Sequence, residues 1–232
     1  MNSSHTPVIT IDGPSASGKG TVSRILALKF GWHFLDSGVL YRLVGLSALR
    51  RQVPFDAAAQ LGELARNLDV RFESDRGEDE PRIFLDNEDV SLEARGEAGG
   101  RAASQVAVIP DVREALLQRQ RDFRQSPGLV ADGRDMGTCV FPEADLKIFL
   151  TASAEERARR RYTQLKQKGV DVKLPELLAD LRARDERDQN RQLAPLKAAP
   201  GAEVMDTTGR TIDDIVANVA SLWEKQSLAN SK

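Results

Sequence analysis

The chain has 232 residues and a formal charge of −2, with 33 Lys and Arg against 35 Asp and Glu. That balance argues against a general nucleic-acid coat, which needs a strongly basic surface, and 41% apolar with 29% charged residues places the chain with globular rather than disordered sequences. One cysteine, Cys139, excludes an intramolecular disulfide, and with only His5 and His33 beside it a zinc site lacks ligands.

No run of 18 apolar residues occurs, and MNSSHTPVITID carries neither a basic stretch nor an apolar run of signal-peptide length, so a cytoplasmic protein is expected. Residues 8–11 form a compact apolar strand candidate, followed by a Gly-rich loop. Over 21–30, Val22, Ile25, Leu26 and Leu28 fall mostly at helical spacing, with Gly31 as the stop. Residues 33–35 read as a second strand, and 39–51 and 57–68 as helices, the latter capped by Asp56. The stretch 69–90 breaks the alternation: 69–73 and 82–86 read as strands joined by the polar SDRGEDE, an antiparallel element inserted into an alternating pattern. SLEARGEAGGRAASQVA reads as partly helical, weakened by Gly96, Gly99 and Gly100, and 111–124 as a clearer helix ended by Ser126-Pro127-Gly128.

Alternation then resumes. Residues 129–131 and 146–150 are continuous apolar runs, as parallel strands buried on both faces require. Ser153 with Glu156 predicts a capping box for a helix to about Lys168, Pro175 opens another to about Arg191, 203–205 is a last strand, and Thr211 with Asp214 caps the terminal helix. The tail from Ser227 is expected to fray. Strands separated by helices imply an α/β fold with a parallel sheet and helices on both faces.

Gly13-Pro14-Ser15-Ala16-Ser17-Gly18-Lys19-Gly20-Thr21 follows the first strand and opens the first helix. Glycines let backbone N–H groups converge on phosphate oxygens, and the helix N-terminus adds positive partial charge. Lys19 can reach the transferred phosphoryl group. Gly20 stands where the strict phosphate-loop pattern has a hydroxyl, which is the GKGT form common in nucleoside-monophosphate kinases; Thr21 is the candidate for Mg²⁺. Such a loop alone fits ATPases, GTPases and small-molecule kinases. The arginines outside it discriminate. Tyr41-Arg42 sits in the first turns of a helix, Gly133-Arg134-Asp135 follows the third strand, and Arg184, Asp188 and Arg191 share one helix face. A nucleotide phosphate is already mostly ionised at pH 7, since its second pKa is about 6. An acceptor of that kind needs no general base but does need cations against the repulsion of two anions. Arg42, Arg134 and Arg191 are candidates for that grip. The 153–191 stretch holds eleven basic against eight acidic residues, and its start, with Arg157 and Arg160, would supply cations to the ATP phosphates on closure, excluding water. Its Arg159–Arg161 run also fits a solvated helix face or a nucleic-acid patch.

Together GPSASGKGT, LDSGVLYR (35–42), ASQVA (103–107), DVREALLQRQR (111–121), DGRDMGT (132–138) and RDERDQNR (184–191) resemble the bacterial cytidylate kinase family over nearly the whole chain. The resemblance implies a single phosphate-loop kinase domain over 1–232 with a five-stranded parallel sheet. It implies a monophosphate-binding region at 40–105 with its antiparallel insert at about 69–90, and a helical lid at 156–192. The implied reaction moves the γ-phosphoryl of ATP to CMP or dCMP with Mg²⁺, giving CDP or dCDP and ADP. By resemblance Ser37, Arg113 and Asp135 read cytosine, Ser104, Arg184 and Asp188 hold the ribose, and Arg42, Arg134 and Arg191 clamp the α-phosphate. Asp132 would orient Mg²⁺ through water. Tyr41 is either core or a wall of the acceptor site. Lys19, Arg134 and Arg191 are the expected catalytic residues, and Cys139 is expected to be a small buried residue rather than a nucleophile. The expected partners are nucleotides, with no nucleic acid, no membrane and a monomeric state. The rivals are a kinase for UMP or AMP and a nucleotide-dependent RNA-binding module.

Overall fold

A computed structural model describes residues 5–73, 81–167 and 169–230. In chain order its elements are β1 (Val8–Asp12), α1 (Lys19–Phe30), β2 (His33–Asp36), α2 (Ser37–Arg50), α3 (Ala58–Arg66), β3 (Val70–Glu73), β4 (Arg82–Leu85), β5 (Glu88–Asp89), α4 (Ser91–Arg95) and α5 (Glu97–Val106). There follow α6 (Pro110–Arg121), β6 (Leu129–Gly133), a π-helical turn (Met136–Val140), β7 (Leu146–Thr151), α7 (Ala154–Gln167), α8 (Leu174–Asn190), β8 (Glu203–Asp206) and α9 (Ile212–Asn230). The chain divides into two compact units, Met1–Asp36 with Arg121–Lys232, and Ser37–Gln120.

The first unit is built on a five-stranded sheet in the order β2-β6-β1-β7-β8, every pair parallel. β1 and β6 are buried at every residue, as unbroken apolar runs with both faces covered must be. Ile9, Ile11, Val130, Ile148 and Leu150 meet Val22 and Leu26 of α1 and Ile215 and Val219 of α9 in one apolar core. β1 lies at the centre and the chain runs out from it to β2 on one side and later to β7 on the other, so the loop after β1 sits where the strand order reverses. α1 stops where Gly31 takes φ +65°, its N–H reaching back to the last turn.

The second unit pairs helices α2–α6 with a small antiparallel sheet, β3-β4-β5. α2 and α5 pack closely at Gly45: a Cβ there would lie 2.6 Å from the Ala102 Cβ, so only glycine permits the approach. Ile83 and Leu85 of β4 are buried while Arg82 and Phe84 alternate toward the other face.

Several expectations need adjustment. α2 starts at Ser37 directly after β2, with no intervening turn. Ala57, not Asp56, holds the N-cap position of α3, without a side-chain cap; only the Asp56 backbone carbonyl takes part, accepting the Ala58 N–H. The partly helical stretch splits into α4 and α5 at Gly96, and α6 ends at Arg121. β5 and the π-turn have no counterpart in the pattern reading. α9 continues to Asn230, so the fraying expected from Ser227 is not seen before the helix ends. The SDRGEDE linker and Lys168 lie outside the described residues. Among the described residues no helix is long and apolar enough to cross a membrane.

Candidate active site

The phosphate loop leaves β1 at Gly13, where a Cβ would fall 2.2 Å from the Leu150 carbonyl oxygen. Only glycine lets the loop pass that close to β7. Gly18 takes φ +91° immediately before α1, which has no side-chain cap and no acidic residue in its first turn. Its N-terminal amides and dipole are therefore not neutralised by the helix's own side chains, the condition for anion binding. The loop's carbonyls are taken up inside the protein. Pro14 O accepts from Lys19 Nζ (3.3 Å), Ser15 O from Arg157 Nη1 (3.3 Å), and Ser17 O from Arg160 Nη1 (3.3 Å) and Thr207 Oγ1 (3.1 Å).

Arg157 and Arg160, expected at the ATP phosphates, are thus engaged as braces on the loop backbone. Arg157 is buried, donates to both Asp185 oxygens (3.1 and 2.6 Å) and caps the Ala152 carbonyl (3.0 Å). Arg160 donates to Glu156 (3.0 Å), Thr207 Oγ1 (2.9 Å) and Thr207 O (2.5 Å). Arg159 and Arg161 make local contacts on α7, to Glu156 (3.2 Å) and Gln164 (2.6 Å), as a solvated face does.

Lys19 Nζ lies 3.9 Å from Asp132 Oδ1, at the end of β6. Burial, with Arg134 nearby, lowers the Lys19 pKa to about 8 against the pull of Asp132 and Asp36. Burial raises Asp132 to about 7; Lys19 opposes that shift and the like charge of Asp36 adds to it. Asp132 Oδ1 is buried with no hydrogen-bond partner. At Gly20 a Cβ would stand 3.1 Å from Asp132 Oδ2, so the missing side chain leaves that carboxylate open on the loop side. A buried carboxylate oxygen lacking a donor fits a hydrated Mg²⁺ that leans on substrate phosphates. Among the described residues no cluster of three or more carboxylate, imidazole or thiol groups offers an all-protein cage. Thr21, the sequence candidate, is exposed.

Arg134 ties the loop to α8: its Nε donates to Asp188 Oδ2 (2.9 Å) and its Nη2 to Ser15 Oγ (2.8 Å). Burial works against the Arg134 charge, but Asp188 more than compensates and raises its pKa. For Asp188, burial is likewise outweighed, by Arg134 first and then Arg184 and Arg191, and its pKa falls. Arg134, Arg184, Asp188 and Arg191 therefore form one charged group beside Lys19. Arg191 closes α8 and donates Nε to the Ala194 carbonyl (2.5 Å). Asp135, 3% exposed, stands at the N-cap of the π-turn, where its carbonyl accepts from Cys139 N (2.9 Å) and Val140 N (3.2 Å).

The second unit holds the other expected acceptor residues. Ser37 is buried at the start of α2. Tyr41 is buried too, as a core residue is, with the Arg113 guanidinium 6.0 Å from its ring centroid. Arg42 Nη1 donates to Ala94 O (2.8 Å) and Gly96 O (3.4 Å). Ser104 is buried on α5 and donates to Gly100 O (3.2 Å), while Arg113 Nη1 donates to Ala107 O (3.3 Å).

The family model for cytidylate kinase matches residues 9–225. The chain belongs to the cytidylate kinase family. A cytidylate kinase of Aeromonas salmonicida (strain A449) is 57% identical over 220 residues, covering 95% of each chain. One from Stutzerimonas stutzeri (strain A1501) is 56% identical over 96% of this chain and 97% of its own. Among solved structures, a gluconokinase from Sinorhizobium meliloti 1021 aligns over 96% of this chain at 16% identity, covering 97% of its own length with a TM-score of 0.47.

Asp12, Asp185 and Thr207 are the residues of this kinase-family site that pattern reading missed. Asp185 carried a usable signal: it stands three residues before Asp188 and so near the same helix face, in a run read for its arginines. Asp12 carried a weaker one, an acid closing an otherwise apolar strand. Thr207 had none, because what matters is the meeting of the loop after β8 with a loop nearly 200 positions away.

Proposed function

We propose that the protein transfers the γ-phosphoryl group of ATP to CMP or dCMP, yielding ADP and CDP or dCDP. The observation that carries this reading is the charged group around the phosphate loop: Lys19 beside Asp132, with Arg134 between Ser15 and Asp188. Membership of the cytidylate kinase family supports the acceptor.

The donor phosphates would be cradled by the backbone of Gly13, Pro14, Ser15, Ala16, Ser17, Gly18, Lys19, Gly20 and Thr21, with Lys19 on the transferred group. Mg²⁺, held through Asp132 with Thr21 as the second candidate, would supply positive charge to the ATP phosphates. Arg42, Arg134 and Arg191 would bind the acceptor phosphate, whose oxygen is mostly ionised at neutral pH, since its second pKa is about 6. The chain's task is then orientation and charge neutralisation rather than proton abstraction. Ser37, Arg113 and Asp135 would read the base: Asp135 accepts from the cytosine amino group, which uracil replaces with a carbonyl, and Arg113 donates to O2 and N3. Ser104, Arg184 and Asp188 would hold the sugar hydroxyls. We also assign residues 40–105 to monophosphate binding, supported by the compact Ser37–Gln120 unit, and 156–192 to a lid, supported by the packed pair α7 and α8.

The test is product analysis. With ATP, CMP and Mg²⁺, chromatography should give one CDP for each ADP; ADP without CDP would overturn the reading.

A further inference from the structure

β6 ends at Gly133, paired in the sheet with Asp12 of β1. The chain then leaves the sheet for only two residues, Arg134 and Asp135, before the Met136 and Gly137 amides return over Asp12. There they donate to its two carboxylate oxygens, at 2.9 and 2.8 Å. The segment carrying Arg134 and Asp135 is thus pinned on one side by the strand ladder and on the other by Asp12.

The pin is specific to a carboxylate. Asp12 is 2% exposed, and its two hydrogen bonds are both to backbone N–H groups. Burying a charge is costly, and an asparagine of the same shape would be cheaper if one acceptor sufficed. It would not suffice: the amide nitrogen of asparagine is a donor and would face a second donor. Those two amides also belong to the start of the π-turn, whose first N–H groups have no partner within the turn. Gly137 makes the approach possible, since a Cβ there would lie 2.9 Å from Thr10 Oγ1 and 3.4 Å from Asp12 Oδ2. Asp12 is bonded directly to Gly13, so one residue ties the donor-phosphate loop to the segment that carries Arg134 and Asp135.

We propose that Asp12 is a positioning residue for acceptor recognition: by accepting the Met136 and Gly137 amides it fixes Arg134 and Asp135 relative to the phosphate loop. The role of those two residues rests on the function proposed above; the clamp itself does not.

Two measurements separate the parts. Amide hydrogen exchange by NMR on Asp12→Asn should accelerate at Met136 and Gly137 by at least about tenfold, with β1 and β6 amides within about threefold of the wild type. Kinetics on the same variant should raise the KM for CMP about tenfold and lower the preference for CMP over UMP, while the affinity for a non-hydrolysable ATP analogue stays within about threefold. Gly137→Ala, which keeps the carboxylate but displaces the turn, should reproduce the pattern and serves if Asp12→Asn does not fold. Unchanged exchange at both amides would overturn the clamp. Equal losses for CMP and the ATP analogue would reduce Asp12 to general support and overturn the positioning role. A wild type that never phosphorylates CMP would defeat the functional reading instead, and the exchange result would still decide the clamp.

Discussion

Lys19 is held where burial disfavours its charge and lowers its pKa to about 8, with the carboxylates of Asp132 and Asp36 as counterweights. A cation kept in such a place, on the first residue of a helix behind a glycine-rich loop, is suited to an oxyanion rather than to a surface ion pair. Lys19→Ala should lower kcat by roughly 10²–10³-fold, the usual loss when one donor to a developing charge is removed. Circular dichroism should stay unchanged; full turnover in a folded variant would remove Lys19 from the mechanism. In the proposed function, Asp135 is the residue on which base choice would turn. Asp135→Ala should cut the CMP-to-UMP ratio of kcat/KM by about tenfold or more, because the cytosine amino group loses its acceptor, and an unaltered ratio would place base reading elsewhere. Both motifs were legible in the sequence because they are contiguous and chemically constrained. Asp12 was not, since its meaning depends on amides 124 and 125 positions away.

Helices and strands differ in how much of their definition is local. The start of the terminal helix was legible: Thr211 Oγ1 accepts from Asp214 N (3.2 Å) and Asp214 Oδ2 accepts from Thr211 N (3.4 Å), both partners being three residues apart. The Ser153–Glu156 box is only half made. Ser153 Oγ accepts from Glu156 N (3.2 Å), but the Ser153 N–H goes to Thr208 Oγ1 (3.1 Å) and Glu156 turns to Arg159 and Arg160. A tertiary partner, Thr208, takes the Ser153 N–H, while Glu156 pairs along its own helix. Arg157, expected at the ATP phosphates on closure, here joins α7 to α8 through Asp185 and to the loop through the Ser15 carbonyl. A bidentate pair with side chains 6% and 14% exposed is costly to break from one side. Arg157→Met should destabilise the protein by about 3–5 kcal/mol, leaving Asp185 buried and unpaired. Denaturant unfolding measures this, and a loss below about 1 kcal/mol would mean that Asp185 finds water or another donor.

At the scale of the whole chain, the near-neutral composition and the alternation of strands with helices were enough for an α/β fold and a parallel sheet. Strand order was not readable, because nothing in residues 129–133 says that β6 inserts between β1 and β2; that follows from which apolar faces meet. The antiparallel element was visible as an interruption of the pattern, though β5, two residues long, was too short to signal itself. The proposed function gives nine residues to the acceptor, and three of them, Ser37, Arg113 and Asp135, to its base. Those three would distinguish nucleotides by the exocyclic group of the base, so acceptor choice tests them at once. The decisive measurement is Mg²⁺- and ATP-dependent turnover across CMP, dCMP, UMP, AMP and GMP, followed as ADP release. CMP and dCMP should give the highest kcat/KM by a wide margin. A preference for UMP or AMP, or ATP turnover indifferent to the acceptor, would contradict the proposed assignment of these residues to a cytosine nucleotide.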